Sequence, residues 1–105
     1  MISAPNIVSE RLDAVRLLCQ KHHVARLELF GSAANGQFDE LHSDLDFLIE
    51  FEVLTPSARA DAYFGILADL QDLFQRDIDL VEAAAVTNPY FKRTLDADRT
   101  VLYAA

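Results

Sequence analysis

Basic side chains are scarce in this sequence: 9 Lys and Arg stand against 17 Asp and Glu, for a formal net charge of −8. Non-specific affinity for nucleic acid comes mainly from clustered Lys and Arg on phosphates, so direct nucleic-acid binding is not expected. Cysteine is reduced to one residue, Cys19, which cannot close an internal disulfide, and a reducing, cytoplasmic setting is the expectation. No apolar run approaches the ~20 residues of a membrane span. Met1–Pro5 also lacks the basic-then-apolar pattern of a secretory signal. With only three glycines and three prolines, the chain has few breakers, and they fall where turns are wanted. What is present is apolar mass: 51% hydrophobic residues, among them seven Phe and three Tyr. That content suits one hydrophobic core, and residues 1–105 read as one domain.

Apolar spacing sets the elements. Over 7–21, Val8, Leu12, Val15, Leu18 and Cys19 fall at steps of three and four, which predicts an amphipathic helix ending at His22-His23. Residues 24–30 alternate, with Ala25, Leu27 and Leu29 on one face and Arg26, Glu28 and Phe30 on the other, as in a strand. Residues 44–51 alternate again: Leu45, Phe47, Ile49 and Phe51 on one side, Asp44, Asp46, Leu48 and Glu50 on the other. Thr55-Pro56 reads as an N-cap and first helical position. The wide stripe that follows, from Tyr63 and Phe64 to Leu73 and Phe74, predicts a core-facing helix. A short strand is expected at 78–81, a helix from Asn88-Pro89 to about Leu95, and an edge strand or extended tail at 100–103. This order predicts an α+β (mixed α/β) fold, a small sheet flanked by helices.

The chemistry sits on the second strand. Side chains at i and i+2 share a face about 6.5–7 Å apart, so Asp44 and Asp46 can turn onto one cation or a pair of cations. Without a cation, neighbouring carboxylates repel, and one is pushed toward its protonated form. The pair is therefore either solvated or built for metal. If the strand at 78–81 lies beside 44–51, Asp79 joins the same acidic face; Asp77 shares its parity and competes with it. An acidic chain can still bind a nucleotide when divalent cations neutralise carboxylates and phosphates together.

Phe30-Gly31-Ser32 ends the first strand in a tight turn. Glycine allows the backbone close to a phosphate, and the following amides and the Ser32 hydroxyl can donate to it. Blander readings apply elsewhere: Cys19, Tyr63 and Phe64 as core, His42 as a loop residue near the acidic strand, Lys92 and Arg93 as a solvated helix face.

Together, Leu29-Phe30-Gly31-Ser32-Ala33-Ala34-Asn35-Gly36, Ser43-Asp44-Leu45-Asp46-Phe47-Leu48-Ile49 and Ile78-Asp79-Leu80-Val81 resemble the signature of polymerase-β-type nucleotidyltransferases, most of all the minimal nucleotidyltransferase (MNT) antitoxin-like group. Asn88-Pro89-Tyr90-Phe91 and Val101-Leu102-Tyr103 are similar to that group's C-terminal pattern. The chain departs from it in two places. Asn35 stands where the group commonly has arginine, and the eleven residues between Ser32 and Asp44 make a spacer one longer than the usual pattern.

The resemblance implies a polymerase-β-like sheet flanked by helices and a Mg²⁺-dependent adenylyltransferase using ATP and two Mg²⁺ ions. Asp44 and Asp46 would hold metal, Asp79 would ligate the second ion or activate the acceptor hydroxyl, and Gly31 and Ser32 would grip phosphates. It also implies a partner: a HEPN-domain ribonuclease toxin, AMP-modified on a tyrosine by this chain as its antitoxin. The alternative is a non-catalytic antitoxin that neutralises the same partner by stoichiometric contact. Either form can be oligomeric.

Overall fold

The computed structural model describes residues 6–30, 44–85 and 99–105. The elements are α1 (Asn6–Ser9), α2 (Leu12–Lys21), β1 (Val24–Phe30), β2 (Leu45–Phe51), α3 (Pro56–Phe74), β3 (Ile78–Glu82), a 3₁₀ turn (Ala83–Ala85) and β4 (Arg99–Ala104). Four strands form one sheet in the order β3-β2-β1-β4. β1 runs antiparallel to β2 and to β4, whereas β3 is parallel to β2. A parallel pair needs a crossover, and α3 supplies it. The α+β architecture is the one expected, with 99–104 as an edge strand.

The alternation read in the strands divides the sheet's two faces. Leu27, Leu29, Leu45, Phe47, Ile49, Leu80 and Leu102 pack with Val15 and Cys19 of α2 and with Ile66, Leu70 and Phe74 of α3 in the main core. Cys19 is fully buried there, and burial pushes its thiol up to about 12, so it is a packing residue and not a nucleophile. On the opposite face a smaller cluster forms from Phe30 and Leu48, with Val81 and Ala83 against it.

Two expectations change. The helix expected over 7–21 is interrupted between Ser9 and Leu12, where Arg11 N–H donates to the Val8 carbonyl at 3.0 Å and Arg11 becomes the N-cap of α2. Val8, Val15 and Cys19 are buried on both sides of the break. Apolar spacing reports which side chains meet the core, not whether the backbone ladder is continuous. Phe64, expected in the core, is 66% exposed. The buried line of α3 is Ala62, Ile66, Leu70 and Phe74, at steps of four, and Phe64 lies about 200° round the helix from Ala62. It packs edge-on against the half-buried Tyr63, with ring centroids 5.2 Å apart. On the second face of β1, Glu28 and Phe30 are both buried. The helix expected at 88–95, and His42, Lys92 and Arg93, lie outside the described residues.

Thr55 caps α3 as its sequence suggests, its hydroxyl accepting from Ala58 N–H at 3.2 Å with Pro56 in the first turn. Further along, Gly65 marks a close approach. A Cβ there would lie 2.7 Å from Cε1 and 2.9 Å from Nδ1 of the His22 ring. That ring donates from Nε2 to Asp69 Oδ2 at 2.6 Å, and Lys21 Nζ reaches the same oxygen at 3.2 Å. The His22 hydrogen bond holds the Asp69 carboxyl below its ordinary value; desolvation opposes this and Lys21 adds to it. Gly65→Ala therefore has a sign that depends on its neighbour. With His22 in place it should cost about 1 kcal/mol, because displacing a charge-assisted hydrogen bond outweighs the gain in helix propensity. In a His22→Ala background the same change should stabilise by about 1 kcal/mol. Urea denaturation of the four proteins in this cycle measures both values, and equal signs in the two backgrounds would refute the contact.

Candidate functional site

Asp46 occupies the outward phase of β2. Leu45 and Phe47 on either side of it are fully buried, so the strand cannot rotate to hide the carboxylate without exposing them. The register then fixes its neighbours. On β3, Asp79 is the partner of Asp46; on β1, Phe30 is; and Phe30 in turn pairs with Arg99 on β4. One row across the open face of the sheet therefore reads Asp79, Asp46, Phe30, Arg99, with neighbouring strands about 4.8 Å apart. Asp44 stands exposed immediately before β2, two residues from Asp46.

The electrostatics follow from that spacing. The Asp46 carboxyl is pushed up to about 6, first by burial, then by the charge of Asp79, then by that of Asp44. Asp77, the alternative to Asp79, precedes β3 and is exposed. Its backbone carbonyl accepts from Leu45 N–H at 3.4 Å. The structure thus sets Asp79 beside Asp46 on neighbouring strands, while Asp44 and Asp77, both exposed, stand just before β2 and β3. Gly31 and Ser32 lie outside the described residues; β1 ends one residue before them, at Phe30 beside Asp46.

Among the described residues, no three His, Cys, Asp or Glu side chains already converge on one point at ligating distance. The donor set nevertheless suits a hard divalent cation. All three groups are carboxylates, the oxygen ligands that Mg²⁺ takes, and the burial and neighbouring negative charge that raise Asp46 are what a bound cation would offset.

A second feature of this face escaped the sequence. Glu28 on β1 is 3% exposed, yet Arg26 Nε donates to its Oε1 and Arg99 Nε lies 3.0 Å from its Oε2. A buried carboxylate is tolerated only when so paired. Beside this cluster is a depression of about 370 Å³ between Leu48, Glu50 and Ala83. The available signal was an Arg-x-Glu on an otherwise apolar strand. Its missing half, Arg99, is distant in sequence and brought in by β4 pairing. Among the described residues, no helix is long and apolar enough to cross a membrane.

Comparison with known proteins places this geometry. Residues 13–102 match the nucleotidyltransferase domain family. A Methanocaldococcus jannaschii protein, named provisionally as a protein adenylyltransferase, is 35% identical over 95 residues, covering 87% of this chain and 93% of its own length. A solved structure described as a minimal nucleotidyltransferase superposes with a TM-score of 0.72 at 27% identity, over 89% of this chain and 90% of that one. The fold is also that of a chain in the complex of a tri-AMPylated Shewanella oneidensis HEPN toxin with its MNT antitoxin, with a TM-score of 0.63 at 16% identity over 92% of this chain and 72% of that one. This chain therefore belongs to the nucleotidyltransferase domain family, and its enzymatic class is nucleotidyl transfer.

Proposed function

We propose that this protein transfers AMP from ATP to a protein hydroxyl, with Asp44, Asp46 and Asp79 as the ligands of Mg²⁺, and that its acceptor is a tyrosine of a HEPN-type toxin for which it is the antitoxin. The observation that carries this reading is the register of β2 and β3, which sets Asp79 directly beside Asp46 at the end of the sheet where β1 leads into Gly31-Ser32. The adenylyltransferase name of the M. jannaschii relative and the AMPylated toxin bound to the MNT antitoxin support the choice of donor and acceptor.

In this reading the acceptor oxygen attacks the α-phosphorus of ATP, a P–O bond forms, and the bond to the pyrophosphate oxygen breaks. Bound Mg²⁺ would neutralise the phosphates and the charge that develops on the leaving pyrophosphate. Asp44 and Asp46 orient the triphosphate through that site. Asp79, at the outer end of the row, either completes the ligand set or holds the acceptor hydroxyl and takes its proton. Gly31 and Ser32 donate backbone and hydroxyl hydrogen bonds to the phosphates.

Co-production in cells with a HEPN-type toxin tests the antitoxin role. Wild-type protein should restore growth and leave AMP on a toxin tyrosine, read by peptide mass. An Asp44→Asn, Asp46→Asn double variant at equal abundance should do neither. If the double variant restores growth as well as wild type, neutralisation is stoichiometric and the catalytic reading fails.

A further inference from the structure

β3 is five residues long and lies at the edge of the sheet, with β2 on one side. Edge carbonyls facing away from the sheet need partners from elsewhere. Tyr63 provides one. Its hydroxyl donates to the Leu80 carbonyl at 2.6 Å, one residue from Asp79. One turn earlier on the same face of α3, Arg59 Nε lies 3.7 Å from Glu82 Oε2, two residues further along β3. The i, i+4 spacing on the helix thus meets the i, i+2 spacing on the strand, and α3 grips β3 at two points. Leu80 itself is buried in the main core, which fixes its depth but not its slide along the strand direction.

The Tyr63 hydroxyl also senses the site. Burial raises its pKa first, and the charges of Asp79 and then Glu82 raise it further, so it stays protonated and remains a donor through the neutral range. Its ring is braced edge-on by Phe64.

We infer that Tyr63 is a positioning residue: by holding the Leu80 carbonyl it sets the height of Asp79 against Asp46, and so the distance between two carboxylates of the metal site. This rests on the reading of Asp79 given above. Groups that hold a ligand's side chain change metal affinity 10- to 100-fold, and Tyr63 acts one step further out, through the carbonyl of the next residue, so its effect belongs at the lower end. Tyr63→Phe removes one oxygen and leaves the ring and its packing. Arg59, which reaches β3 from a more exposed position, contributes less.

The test is Mn²⁺ binding to the intact protein without nucleotide, followed by electron paramagnetic resonance, alongside Mg²⁺ activation curves for transfer. Tyr63→Phe should weaken Mn²⁺ binding about 10-fold and shift the Mg²⁺ activation midpoint in parallel. KM for ATP at saturating Mg²⁺ should stay unchanged, as should the far-ultraviolet circular dichroism. In an Asp79→Asn background, the same Tyr63→Phe change should have no further effect on Mn²⁺ affinity. A purely structural tyrosine would lower the melting temperature and add its effect equally in both backgrounds. Unchanged Mn²⁺ affinity in Tyr63→Phe, with Asp79→Asn inactive, overturns the positioning role alone. Full activity and full Mn²⁺ affinity in Asp79→Asn overturn both this role and the reading of Asp79 as a ligand. Phe64→Ala, which removes the brace and keeps the hydroxyl, should give a smaller shift than Tyr63→Phe; a larger one contradicts the hydrogen bond as the cause.

Discussion

Asp46→Asn is expected to abolish nucleotidyl transfer, by roughly 10²–10³-fold or more, and at the same time to stabilise the metal-free protein. The two effects have one origin. Asp46 is enclosed between Asp79 on the next strand and Asp44 two residues before it, and burial adds to their repulsion in raising its carboxyl to about 6 from 3.8. Since the folded-state value lies above the unfolded one, the folded protein holds the extra proton between those two values. Stability of the metal-free protein therefore falls as pH rises from about 3.8 to about 6, and stays low above that. Asparagine keeps the shape without the charge and avoids the loss. The site is partly solvated, so the gain is kept near 1 kcal/mol, which in a domain of this size moves the melting temperature by roughly 4–8 °C. Differential scanning calorimetry at pH 7.5 without divalent cations should show that rise, and saturating Mg²⁺ with ATP should narrow or reverse it by stabilising only the wild type. A lower melting temperature in Asp46→Asn without metal would mean that the carboxylate is already compensated by protein groups.

Phe47→Ala should be the most damaging change in the core. Phe47 is fully buried next to Asp46, pairs with Leu29 and Leu80 on the two flanking strands, and stacks on Phe74 of α3 with ring centroids 6.2 Å apart. Truncating such a ring costs about 3–5 kcal/mol through lost burial and the cavity left behind. Domains of this kind hold only about 5–15 kcal/mol in total, so the variant should be largely or partly unfolded at 37 °C. In urea its midpoint should fall with an unchanged slope, the mark of a stability change between the same two states. A loss under about 1 kcal/mol would contradict the placement of Phe47 at the junction of β2 and α3.

The strands show what was legible in the sequence and why. β2 carries its signal in a two-residue period, interrupted on the outward phase by the buried Leu48, and the period that sends Leu45, Phe47 and Ile49 inward sends Asp46 outward. The placement of Asp79 was open, because strand register is set by long-range pairing; the β2–β3 register puts Asp79 opposite Asp46. Alternation places Glu28 on the face of Arg26 and Phe30 but cannot say what covers that face. The burial of Glu28 depends on Arg99, 71 positions away and reached only through β4. Phe64 failed for a simpler reason. An apolar stripe wider than the contact it serves leaves its margin exposed, and the buried line of α3 takes in Ala62, a small residue that carries little weight in such a reading. The break between α1 and α2 likewise preserves apolar spacing, which made it invisible.

Nucleotidyl transfer by the carboxylates of the open face can be followed with ATP labelled separately at its α- and γ-phosphates, incubated with this protein, Mg²⁺ and a folded HEPN-type toxin. Label from the α-position should appear on the toxin, label from the γ-position should not, and both Asp44→Asn and Asp46→Asn should abolish the transfer. Transfer of the γ-label, or α-label transfer undiminished in Asp46→Asn, would rule out nucleotidyl transfer by these carboxylates.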